Sequence, residues 1–123
     1  NLKKFTKELL PSINRLNENE LTFLWFDDFY DGLLTGVVQY QNEVYRYEIV
    51  TDYTKLIYPR IFALVALTAD EFKEEKYWND LYGKLIKEQP ENKESHKFFF
   101  EEQQQRNIIN YDDRCVIGYF TQD

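Results

Sequence analysis

The sequence predicts an α+β domain: a mainly antiparallel five-stranded sheet, a long helix on one face, and an N-terminal helix on the other face or at an edge. Three observations carry this expectation. Residues 33–51 alternate about a short polar turn, as a hairpin does. The run Arg60 to Leu67, RIFALVAL, is apolar on both faces and fits an interior strand. Thr68-Ala69-Asp70-Glu71 is a capping box, with Thr68 as N-cap and Glu71 three positions into a long helix.

From the N-terminus, Leu2, Phe5, Leu9, Ile13 and Leu16 recur every three or four residues, one apolar helical stripe over 1–17. Pro11 removes a donor within it, so the helix kinks there or two short helices meet. Leu21 to Phe26 is apolar on both faces and predicts a strand buried on both sides, with Trp25 and Phe26 in the core. An acidic turn, Asp27 to Gly32, then leads into the hairpin. A two-residue Gln41-Asn42 loop pairs Tyr40 with Glu43, Val38 with Tyr45 and Gly36 with Tyr47. Gly36 leaves room for the ring of Tyr47. A slip of one residue would bury Arg46 and Glu48, so the register is specified.

The helix that opens at Thr68 runs to about Glu88, with Trp78, Leu81, Tyr82, Leu85 and Ile86 as its buried stripe. Ser95 to Gln105 reads as helix or as an irregular segment, because Phe98-Phe99-Phe100 is not a stripe. Cys115 to Thr121 is a last short strand. The organisation is one domain over 1–123, an N-terminal helical segment at 1–19 and a sheet-plus-helix core at 20–123.

The chain has 123 residues, 43% hydrophobic and 18% aromatic, which fits a folded domain with one core. No apolar run approaches the roughly 20 residues of a membrane span. No signal peptide is visible at the start. With no Met anywhere, that start reads as processed or trimmed, and a removed leader stays open. One cysteine, Cys115, cannot form an internal disulfide and points to a reducing, cytoplasmic setting. The net charge of −7 disfavours nucleic acid and favours a partner with a basic surface, besides serving solubility.

Chemistry is mostly excluded. The one histidine, His96, lies in a polar segment and reads as solvated, and Cys115 reads as a small core residue. Zinc spacings, phosphate-binding glycine loops and basic–aromatic clusters are absent, so no catalytic residue, metal ligand or cofactor is assigned. Carboxylates remain. Asp27, Asp28 and Asp31, with Glu75 on the long helix, could serve acid–base work or hold a divalent ion. Against that stands the plainer role of capping turn amides. The tyrosines around the hairpin are either a wet core rim or contact anchors. The expected contact residues are Tyr30, Tyr40, Tyr45 and Tyr47, with Asp27, Asp28 and Asp31 as complementary charges. The function that follows is a small acidic module binding one protein, as a toxin-neutralising immunity protein or a phage-encoded inhibitor of a bacterial enzyme. The alternative is an enzyme or ligand-binding domain built on the carboxylates.

Trp25-Phe26-Asp27-Asp28-Phe29-Tyr30-Asp31-Gly32, Thr35 to Tyr40 and Tyr45-Arg46-Tyr47 resemble a small, mostly bacterial family with no established activity. Its pattern runs Trp-x-Asp-x-(Phe/Tyr)-Tyr-Asp-Gly-Pro-(Leu/Ile)-Ser-Gly, then a Tyr-x-Gly hairpin. Arg60 to Leu64, Leu67-Thr68, Tyr77-Trp78, His96 to Phe99 and Val116 to Phe120 extend the likeness, in order, over 24–120. Leu33 stands where the family has Pro, Asn42 where it tends to have Gly, and Arg46 where it often has Trp. The resemblance implies an integral domain and supplies no catalytic residues. The N-terminal helical segment is an addition to the pattern.

Overall fold

The computed structural model describes residues 2–29, 32–55, 57–106 and 110–123. Five strands form one sheet in sequence order, every neighbouring pair antiparallel: β1 (Thr22–Phe29), β2 (Leu33–Tyr40), β3 (Glu43–Ile49), β4 (Arg60–Ala66) and β5 (Gly118–Gln122). Two helices, α1 (Ala69–Glu88) and α2 (Lys93–Arg106), lie in sequence between β4 and β5. The chain forms two compact units. One comprises Asn1–Leu67 with Tyr111–Asp123, the other Thr68–Asn110.

The β2–β3 hairpin has the register that alternation predicts: Tyr40 faces Glu43, Val38 faces Tyr45 and Gly36 faces Tyr47. Gln41 and Asn42 both take positive φ, 49° and 67°, as a two-residue turn matched to strand twist requires. One face of the sheet carries the main core: Val38, Tyr47, Phe62, Leu64 and Phe120, joined by Leu21. Its rings are coupled. Phe62 stacks on Phe120 at 4.8 Å, and Tyr47 meets both edge-on at 5.9 and 5.7 Å. β4 is the doubly buried strand, with Ile61, Ala63 and Val65 buried on the opposite face.

The first strand departs from expectation. It runs on through Asp27 and Asp28 to Phe29, pairing Asp28 with Thr35 and Phe29 with Leu33, so these acids lie in a strand rather than a turn. It is also the terminal strand, with register shifts between Phe23 and Trp25 and again around Asp28. Bulges of this kind re-aim side chains at sheet edges. Leu24 and Phe26 consequently face outward, Phe26 at 55% exposure, and the expectation of a strand buried on both sides is corrected.

The N-terminal segment is likewise not an α-helix. It makes short 3-10 turns at Leu2–Lys4, Lys7–Ser12 and Glu18–Glu20. Pro11 lies inside the second turn, where it can donate no backbone hydrogen bond. The amides of Leu2 and Lys3 donate instead to the carbonyls of Arg114 and Asp112. Residues 14–16 run beside β5: Leu16 donates to the carbonyl of Tyr119 at 2.8 Å, and Tyr119 donates to that of Asn14 at 3.0 Å. A Cβ at position 118 would press on the Asn14 carbonyl and the Leu16 side chain at 3.2 Å, which suits the glycine there. The β5 edge is thereby covered. Its strand starts at Gly118, and Cys115 is an exposed residue before it rather than a core residue within it.

Candidate partner-binding surfaces

The hairpin tyrosines divide by burial. Tyr47 is fully buried, and its hydroxyl reaches across Gly36 toward the carbonyl of Trp25 at 3.4 Å. Burial, and secondarily the charge of Asp27, push its ionisation far above the ordinary range for a phenol, partly opposed by Arg46. A ring so placed offers a partner no surface, and Tyr47 leaves the set of contact residues. Tyr40 and Tyr45 are half-buried and pack against the core, keeping one side toward solvent. Burial, then Glu43 and Tyr40, raise the Tyr45 phenol as well. Tyr30, Asp31 and the side chain of Asp28 lie outside the described residues.

Asp27 is engaged within the chain. One carboxylate oxygen accepts the Trp25 indole N–H at 3.0 Å, and the other forms an ion pair with Arg46. The Arg46 Nε donates to Glu48 at 3.1 Å. Its guanidinium lies 5.0 Å from the centre of the Tyr111 ring, and that of Arg114 lies 4.9 Å from the same centre. Arg114 also donates to the carbonyl of Ala66 at 3.0 Å. This cluster balances its own charges and ties the 111–114 segment to the sheet. Within it Asp27 and Glu48 both answer Arg46. Among the described residues, no three His, Cys, Asp or Glu side chains converge as metal ligands would. Glu75 is buried on α1, in the other unit. His96 is half-buried, not simply solvated: its Nε2 sits 3.0 Å from the Gln89 carbonyl and its ring meets Tyr82 edge-on at 6.0 Å.

The second unit carries a surface that sequence reasoning missed. The capping box forms as expected, Thr68 accepting from the Glu71 amide and Glu71 accepting from that of Thr68. α1 and α2 pack antiparallel through aromatic rings. Phe99 meets Trp78 at 5.7 Å and Tyr82 at 5.2 Å, and Phe100 meets Tyr82 at 5.3 Å. At one end the helix connection is closed by polar contacts, the Ser95 hydroxyl and the Asn92 amide both donating to the Gln89 side chain. Between the helices runs an open groove of about 790 Å³. Leu81, expected in the buried stripe, lines it half-open at 37% exposure; Ile86, from the same stripe, is 43% exposed. Tyr77 and Phe98, also in its wall, are 55% and 66% exposed.

The signal lay in Phe98-Phe99-Phe100. Three successive residues on a helix span about 200°, so they cannot all face one neighbour. Phe99 takes the interior position and Phe98 is left outside. No protein-family model, no curated protein and no solved structure matches this chain.

Proposed function

We propose that this chain is a small acidic protein-binding module that holds one partner with a basic surface. It acts as a toxin-neutralising immunity protein or a phage-encoded inhibitor of a bacterial enzyme, in the cytoplasm, and is of one kind with the bacterial family its motifs resemble. One observation carries the reading: large apolar side chains stand outside while the best-formed polar cluster is spent internally. Leu24 and Phe26 on β1, and Tyr77, Leu81, Phe98 and Phe100 on the helices, are all at least one-third exposed. Asp27, Arg46 and Glu48, by contrast, answer one another. Clusters of exposed apolar side chains mark contact surfaces more than they mark catalysis. The formal charge of −7 supports the basic character of the partner. Among the described residues no helix is long and apolar enough to cross a membrane, so these side chains do not belong to a membrane-spanning helix.

The test is capture with the tagged chain at low salt, followed by reconstitution from purified components. A single basic protein should form a stable complex, weakened by Leu24→Ser or by Phe98→Ser. Recovery of the chain alone, with neither variant altering any interaction, contradicts the proposal.

A further inference from the structure

We infer that the groove between α1 and α2 receives a basic amphipathic helix of the partner protein. This rests on the protein-binding reading above and adds the site and the chemistry of what enters it. The groove floor is apolar, with Trp78, Leu85 and Phe99 below the exposed Tyr77, Leu81 and Phe98. Two helices packed side by side leave such a trough, and a third helix fills it with an apolar stripe of side chains three and four positions apart.

The charges of the wall select the sign of the occupant. Among the described residues, Glu88, Glu94 and Glu102 line the groove with one cation, Lys84. Elsewhere on these helices two acids are ion-paired along the chain: Lys76 with Asp80 at 2.7 Å and Lys97 with Glu101 at 3.9 Å. Glu88 and Glu94 carry no ion pair among the described residues, and both lie at the closed end beside Gln89 and Asn92. Glu88 is moreover the last residue of α1, where the helix dipole disfavours a carboxylate. Lysines or arginines flanking the apolar stripe of an incoming helix would pair with these carboxylates. The lining residues of α1 run from Tyr77 to Glu88, about three turns or roughly 17 Å, which sets the length of helix the groove can hold.

The experiment titrates the full chain, by calorimetry at low salt, with a designed peptide of about four turns made of Leu and Lys with the leucines in one helical stripe. Controls are a peptide of the same composition in scrambled order and one with Glu for each Lys. The striped basic peptide should bind at least about tenfold more tightly than either control, which corresponds to about 1.4 kcal/mol. Phe98→Ser should weaken it by a similar factor, and Phe98→Leu should restore it. Glu88→Gln with Glu94→Gln should weaken it about fivefold and flatten its salt dependence. Phe98 and the two glutamates are exposed, so unchanged helix content by circular dichroism confirms that each variant is folded. Equal binding of scrambled and striped peptides, or variants that bind as the parent does, overturns the inference. If it is overturned while a natural partner is still captured, the partner uses another face and the module reading stands. If the peptide binds as expected and no natural partner is ever captured, the groove chemistry stands and the module reading falls.

Discussion

Gly36 and Tyr47 are one structural decision made at two positions. A methyl group on residue 36 would collide with the Trp25 carbonyl oxygen and the Tyr47 hydroxyl. Gly36→Ala should therefore cost at least 1–3 kcal/mol, of the order seen for overpacked cores, as measured by urea unfolding. Tyr47→Phe should change stability by less than about 1 kcal/mol at neutral pH, since the hydroxyl makes one long hydrogen bond. At high pH it should matter more. Burial raises the folded-state ionisation of Tyr47 above that of the unfolded chain. Its neutral form therefore contributes stability that is complete below about pH 10 and is lost as pH climbs from there toward the folded-state value. The phenylalanine variant should lose stability less steeply above pH 10 than the parent, and equal slopes would contradict this assignment. The glycine and its ring were legible from cross-strand pairing alone. The Asp27–Arg46 ion pair was not. Alternation along β1 fails at its bulges, so the face on which Asp27 emerges cannot be counted off from Leu21.

Whole elements were legible where local chemistry agreed with periodicity. The hairpin turn, the extent of β4 and the span of α1 follow from alternation, a doubly apolar run and a capping box. Thr68→Ala should cost about 1 kcal/mol by removing the hydroxyl that accepts the Glu71 amide, with thermal unfolding as the measure. An unchanged midpoint would mean that α1 does not depend on its cap. The N-terminal segment misled because a stripe of apolar residues records burial, not the backbone that achieves it. Leu2 and Phe5 are buried as a helical stripe would bury them, yet the chain reaches that burial through 3-10 turns and an extended run beside β5. α2 was ambiguous for the converse reason. Its apolar residues cluster in sequence, and only the pairing of Phe99 with Trp78 and Tyr82 gives them a side.

On the scale of the molecule, the sheet unit and the helical unit differ in where they place their aromatic side chains. The sheet unit concentrates its fully buried aromatic residues, Tyr47, Phe62 and Phe120, in one layer. The helical unit buries Trp78 and Phe99 and leaves Tyr77 and Phe98 outside. Acidity was readable from composition, whereas the location of exposed apolar surface depends on which strand is terminal and how two helices pair. The most direct test of the binding-module account is an equilibrium titration of the purified chain with the protein it captures, at about 50 mM and about 300 mM salt. The account predicts saturable one-to-one binding that weakens at the higher salt. Binding that never saturates, or that is unchanged or tighter at the higher salt, would contradict it.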